Sequence, residues 1–193
     1  GEVMAIGERA PLALLDAAAS ARMAIAETIM NMAGTYIGQI GKIKLSANWM
    51  CAAGNDGEDA RLYDAVKAVG ESFCPTLGIC IPVGKDSMSM KTQWFDEAGS
   101  HEVISPMSLI CSGFAIISDI ETIKTPLLRD EDSMIIAIEI GHQRLGGSIV
   151  CEVTRQFGDQ APDIDALQLK KLFETLQSWV TDGTILAYHD RSD

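Results

Sequence analysis

Residues 11–33 constrain the fold more than any other stretch of this chain. The segment is mostly Ala, Leu, Ile and Met, and its clearly polar side chains are Asp16, Ser20, Arg22, Glu27, Thr28 and Asn31. Pro11 suits a first-turn position and Gly34 a stop, so the spacing predicts one long helix. At about 100° per residue, Asp16, Ser20, Glu27 and Asn31 fall within an arc of roughly 60°. The rest of the surface is apolar, so such a helix should be buried on much of its circumference. Its polar stripe faces either water or a site.

The remaining elements read as a mixed α+β chain. Residues 42–48 alternate like a strand, 54–57 form a turn, and 58–73 form a second amphipathic helix, closed by Pro75. Residues 78–83 read as a short apolar strand. Residues 87–94 and 101–104 flank Asp96-Glu97-Ala98-Gly99 as a hairpin, and 109–117 is an apolar strand. The charged stretch 121–132, with Pro126, reads as a link to a second lobe. There the sequence predicts a buried strand over 134–140, the turn Leu145-Gly146-Gly147-Ser148, a helix over 149–156, and a helix over 163–180 capped by Asp163 or Asp165. A last strand over 185–188 leads into His189-Asp190-Arg191-Ser192-Asp193.

With 193 residues and 47% hydrophobic content, the chain can bury one large domain or two small ones. Its net charge of −12 argues against a general nucleic-acid surface, which needs cations to neutralise phosphates. That charge leaves room for a nucleotide carried with Mg²⁺, because carboxylates then hold the metal. Cys51, Cys74, Cys80, Cys111 and Cys151 form no CxxC pair and read as small buried hydrophobes in a reducing cytosol. No apolar run approaches the roughly 18 residues of a membrane span, and no basic stretch followed by an apolar core reads as a signal peptide. The start at Gly1 and the end just after a strand-like segment both read as cuts.

Three stretches could carry chemistry. Glu27 and Asn31, four residues apart, lie one above the other on a helix. A carboxylate and an amide oxygen are hard ligands suited to Mg²⁺, and a solvated stripe is the alternative. In Pro82-Val83-Gly84-Lys85-Asp86-Ser87, a turn could aim Lys85 at a phosphate and Asp86 at a metal or hydroxyl. It is not a Walker loop, and ordinary turn chemistry is the alternative. At the carboxyl end of the last predicted strand, Asp190 could bind a metal and Ser192 a phosphate, or the cluster could cap a following helix. The turn at Gly146-Gly147 precedes a helix, where free amides attract anions. His101 and His142 read as surface histidines.

Several blocks together resemble the large, single-chain phosphoribosylformylglycinamidine synthases. They are Gly1-Glu2 with Ala5-Ile6-Gly7-Glu8-Arg9-Ala10-Pro11, then Lys44-Leu45-Ser46-Ala47-Asn48-Trp49-Met50, then Gly57-Glu58-Asp59-Ala60. Tyr63-Asp64-Ala65-Val66-Lys67-Ala68-Val69-Gly70-Glu71 follows, and then Ile81-Pro82-Val83-Gly84-Lys85-Asp86-Ser87-Met88-Ser89-Met90-Lys91. The last is His189-Asp190-Arg191-Ser192-Asp193. The resemblance is collinear over essentially the whole chain, and the block from Gly84 to Lys91 is highly specific.

The resemblance implies an α+β, two-lobed architecture like that of aminoimidazole ribonucleotide synthase. Residues 1–122 would form most of an A lobe and residues 130–193 the start of a truncated B lobe, both from the second synthetase half. By resemblance Glu27, Asn31 and Asp190 match Mg²⁺ ligands, Ser192 matches a nucleotide contact, and Lys85 and Asp86 are further nucleotide-binding candidates. A further family aspartate, the glycine-rich loop of the first half and the glutaminase domain are absent, so the piece alone is expected to be inactive. The implied reaction is ATP- and glutamine-dependent amidine formation in cytoplasmic purine biosynthesis. The implied partners are the other synthetase half and the glutaminase domain, with Mg²⁺ and ATP or ADP as ligands. The site in this half is expected to be structural rather than catalytic. A non-catalytic module of a related aminoimidazole ribonucleotide synthase-like enzyme is the alternative.

Overall fold

The computed structural model describes residues 1–129, 132–140 and 144–191. A four-stranded sheet has the order β1 (Glu2–Glu8), β6 (Ser108–Ile116), β2 (Lys44–Met50), β3 (Cys80–Ser87). Its first two pairings are antiparallel, and β2 and β3 run parallel. A separate hairpin pairs β4 (Lys91–Asp96) with β5 (Gly99–Ile104). The chain is therefore α+β, as expected.

The long apolar segment breaks in two. A short 3-10 turn (Ala10–Leu14) precedes α1 (Ala17–Met32). Asp16 does not extend the polar stripe. It caps α1 in an extended conformation, accepting the Ala19 N–H at 2.8 Å. The helix is buried on most sides, with Ala21, Ala24, Ile25, Ile29 and Met32 essentially inaccessible. It lies against one face of the sheet at glycine distance. A methyl group on Gly7 would sit 2.2 Å from the Ala24 carbonyl oxygen, and one on Gly113 would sit 2.7 Å from Thr28 Cγ2. Only residues without a Cβ let the helix approach this closely.

α2 (Glu58–Lys67) does not stop at Pro75. A widened π turn (Ala68–Phe73) leads into α3 (Cys74–Leu77), and Gly78, in the left-handed conformation, ends the run. Proline inside a regular helix clashes with the carbonyl four residues back. Widening the preceding turn relieves that contact. α4 (Ile149–Val153) is shorter than expected, and α5 (Ala166–Asp182) is capped by Asp165, which accepts the Gln168 N–H at 2.9 Å. Asp163 instead forms a two-pronged pair with Arg22 of α1, both bonds at 2.7 Å. Leu169, Phe173 and Leu176 of α5 join the same hydrophobic core as α1 and the sheet.

Two expected strands do not form. Residues 134–140 have no ladder partner among the described residues, and Met134, Ile135 and Ile136 are exposed rather than buried. Residues 185–188 form no ladder among the described residues, with a bend at Leu186, and Tyr188 N–H bonds to Thr125 O at 3.0 Å. Of the cysteines, Cys51, Cys74 and Cys111 are buried, Cys151 is half-buried and Cys80 is exposed. Burial pushes the Cys74 thiol up to about 12 and the Cys111 thiol up to about 11. Among the described residues no helix is long and apolar enough to cross a membrane.

Candidate metal and nucleotide site

β1 is an edge strand. Its residues alternate between bonding β6 and turning their N–H and C=O groups outward. Two of the outward groups are met by α1. Glu27 Oε2 accepts the Glu8 N–H at 2.7 Å, and Asn31 Nδ2 donates to Ile6 O at 2.9 Å. The match is geometric. Four helical residues rise about 6 Å, close to the roughly 6.8 Å covered by two strand residues. The predicted ligand pair therefore lines up with alternate residues of β1.

This anchoring fixes the donor atoms. With Nδ2 donating to Ile6 O, the Asn31 side chain is oriented, and its Oδ1 is the amide atom that can accept or ligate. Glu27 is half-buried, and its other oxygen lies 3.7 Å from the Arg9 guanidinium. A carboxylate and an amide oxygen beside a guanidinium suit a hard divalent cation together with an anionic ligand.

The segment bearing Asp190 reaches the same end of α1. The Tyr188 hydroxyl donates to Met30 O at 2.9 Å, one residue before Asn31. Burial, and then the nearby charge of Asp190, push the Tyr188 phenol above its ordinary range. His189 Nδ1 lies 3.4 Å from Asp190 Oδ1, and Arg191 pairs with Glu139. Ser192, the predicted nucleotide contact, lies outside the described residues, as does His142. Among the described residues no group of three or more His, Cys, Asp or Glu side chains converges. A cation here would therefore rely on the Asn31 amide and on ligand oxygens as well as carboxylates.

Lys85 and Asp86 are not in a turn. Both lie within β3, opposite Asn48 and Trp49 of β2, and both are exposed. One row of the sheet runs Glu8, Ile110, Asn48, Lys85. Lys85 is thus three strand spacings, about 14 Å, from the β1 edge. The structure anchors Glu27 and Asn31 on β1 and seats Tyr188, two residues before Asp190, on Met30, while Lys85 and Asp86 lie on the opposite edge.

In the Gly146-Gly147 turn, three backbone amides are already taken. Gly146 N–H bonds to Gln160 O, Gly147 N–H to Phe157 O and Ser148 N–H to Leu145 O, at 2.9–3.1 Å. His101 stacks on Trp94 with ring centroids 5.2 Å apart and pairs with Asp96 at 2.9 Å. An open cleft of about 530 Å³ at the other end of α1 is lined by Asp16, Arg61, Asp64, Lys67 and Glu71. It has mixed charge and contains none of the predicted ligands. Sequence reasoning missed Arg9 and Tyr188. Tyr188 lay in an expected strand, and only its tertiary contact with α1 reveals its place.

Residues 1–116 match the family described as the FGAR-AT PurM_N-like domain. The fold is similar to that of Thermotoga maritima PurL complexed with FGAR, with TM-score 0.61 and 9% identity over 94% of this chain and 27% of that one. It is also similar to PurLQS from Thermotoga maritima, with TM-score 0.56 and 10% identity over 98% of this chain and 27% of that one. For T. maritima PurL complexed with AMPPCP the TM-score is 0.57, with 9% identity over 94% and 25% of the two chains. At these identities the likeness speaks for the fold alone. The chain spans about a quarter of the length of these structures.

Proposed function

The chain belongs to the FGAR-AT PurM_N-like domain family, and from that premise we propose that it contributes a Mg²⁺–nucleotide site to a phosphoribosylformylglycinamidine synthase. In this reading the whole enzyme is a cytoplasmic, ATP- and glutamine-dependent ligase of purine biosynthesis. It converts formylglycinamide ribonucleotide to the amidine with ammonia supplied by a glutaminase domain. This chain contributes an A lobe over residues 1–122 and the start of a B lobe over residues 130–193. Alone it is inactive.

The observation that carries the reading is the clamped pair. Glu27 and Asn31 are held on the open edge of β1, and the Asp190 segment is tied to Met30 beside them. Glu27, Asn31 and Asp190 would hold the ion, and Ser192 would touch the nucleotide. Bound Mg²⁺ supplies charge neutralisation at phosphate oxygens. The protein's part is to orient hard oxygen donors, with Glu8 N–H and Ile6 O fixing the first two. We assign the site a structural role, retaining ADP and joining the two lobes. Lys85 and Asp86 are too far away to share that ion, and would meet a phosphorylated ligand at the β3 edge. The other synthetase half is the partner best suited to the sheet face opposite α1. There Met4, Ile6, Phe114 and Ile116 lie exposed in adjoining register.

The test is thermal unfolding of the complete synthase, wild type and Glu27→Ala, with and without Mg²⁺ and ADP. A ligand specific to the folded state stabilises it by roughly 2.7 kcal/mol at a hundredfold excess over Kd. The wild type should gain most of that increment and Glu27→Ala little of it. Equal increments would remove Glu27 from the site. ADP that exchanges freely on dialysis would move the site from the structural to the catalytic class.

A further inference from the structure

We propose that Tyr188 is the positioning residue that sets Asp190 against Glu27 and Asn31, by seating its ring on Gly34 and its hydroxyl on the Met30 carbonyl. The inference rests on the metal reading above and adds to it a residue that touches no ligand.

Four contacts define the seat. The Tyr188 hydroxyl donates to Met30 O at 2.9 Å, and the Tyr188 backbone N–H donates to Thr125 O at 3.0 Å. Lys124 N–H in turn donates to Gly34 O at 2.8 Å. A methyl group on Gly34 would lie 2.8 Å from Tyr188 Cδ1 and 2.9 Å from Lys124 O. The segment 124–125, the end of α1 and Tyr188 therefore form one closed packing unit. Gly34 is glycine because the ring and a backbone carbonyl occupy the space of its side chain.

The hydroxyl adds what packing alone does not. Carbonyls in the last turn of a helix lack an intrahelical N–H partner four residues on. Met30 O takes the Ala33 N–H at 3.0 Å and also the phenol. A ring resting on glycine can slide along a helix, whereas a directed hydrogen bond to one carbonyl fixes its position along the axis. Asp190 follows two residues later, and two residues span at most about 7 Å. Asn31 directly follows Met30, and Glu27 lies one helical turn before Asn31. Fixing Tyr188 on Met30 thus limits where the Asp190 carboxylate can stand relative to both. Groups that orient metal ligands typically change affinity by 10–100-fold when removed.

The experiment is a Mn²⁺ titration of the complete synthase, following the electron paramagnetic signal of the free ion to count sites and affinities. Wild type, Tyr188→Phe and Asp190→Asn are compared, with metal-free thermal unfolding as the control for folding. Tyr188→Phe keeps the ring on Gly34 and removes only the hydroxyl. Its Mn²⁺ affinity at one site should fall about tenfold or more, with a folded metal-free protein, and Asp190→Asn should lose at least as much at that site. Should Tyr188→Phe not purify folded, Gly34→Ala takes its place. It keeps the hydroxyl, displaces the ring, and should weaken the same site. If Asp190→Asn weakens Mn²⁺ binding and Tyr188→Phe binds like wild type, the positioning role is wrong and the metal reading stands. If Asp190→Asn itself binds like wild type, the metal reading fails and the inference fails with it.

Discussion

Helix α5 and residues 134–140 share the later part of the chain, and the sequence predicts a helix for the one and a buried strand for the other. Only the helix is buried. α5 has Leu169, Phe173, Leu176 and Val180 on one face, all at 2% exposure or less, while Ile135 is 82% exposed. The difference lies in where backbone hydrogen bonds come from. A helix satisfies its own N–H and C=O groups within the segment, so it can form first and then dock. A strand needs a neighbour for half or more of its backbone groups. Without a ladder partner, an apolar, β-prone run stays exposed.

The largest expected effect tests the docking of α5. Phe173 is fully buried in the core shared with α1 and the sheet. Phe173→Ala should destabilise the chain by about 3–5 kcal/mol, read as a lower urea midpoint at unchanged slope. A loss below about 1 kcal/mol would mean that α5 is loosely attached and no better placed than residues 134–140.

The same contrast explains how much the sequence revealed. α1, α2, α5, the hairpin and strands β2, β3 and β6 were legible, because their periodicities and caps are local properties, whereas β1 was not expected at all. The Asp16 cap was misread as part of a stripe, since a break at Leu15 costs the apolar pattern nothing. Pro75 was misread as a stop, because the compensating π turn leaves no mark in composition. In the candidate site, Glu27 and Asn31 were legible as a helical pair. Their anchoring to Glu8 and Ile6 was not, because edge-strand geometry depends on sheet order. The separation of Lys85 from that pair was hidden for the same reason.

A second prediction concerns the polar side of the α5 dock. Gln177 is 3% exposed and saturates its amide. Its Oε1 accepts the N–H groups of Ile37 and Gly38 at 2.6 and 2.9 Å, and its Nε2 donates to Ala33 O and Thr35 O at 3.1 and 2.9 Å. The side chain thus substitutes for a missing secondary-structure partner of the loop after α1. Gln177→Leu preserves volume and strands those backbone groups. It should cost about 1–3 kcal/mol, because unsatisfied buried polar groups are expensive. Amide exchange at Ile37 and Gly38 should accelerate along with it. Unchanged exchange at both amides would show that the loop is held by packing alone.

The smallest effect is expected where the sequence most strongly suggested a core strand. Ile135 and Ile136 are β-branched and apolar, so burial in a sheet would make Ile→Ser costly through lost apolar contact and a buried hydroxyl. In this structure both are exposed, and the backbone beside them has no ladder among the described residues to lose. Ile135→Ser should therefore change stability by no more than about 0.5 kcal/mol in urea unfolding of the 193-residue chain. It should also reduce self-association on concentration, since an exposed, unpaired apolar strand invites intermolecular pairing. A partner strand supplied by a longer chain would raise the cost. There the same substitution should cost about 2 kcal/mol or more, approaching the loss of a fully buried side chain. Measuring Ile135→Ser in both settings separates a run that is intrinsically a surface segment from one that lacks only its neighbour. A cost above about 1.5 kcal/mol in the 193-residue chain itself would mean that residues 134–140 are already paired and buried, and the contrast with α5 would be lost.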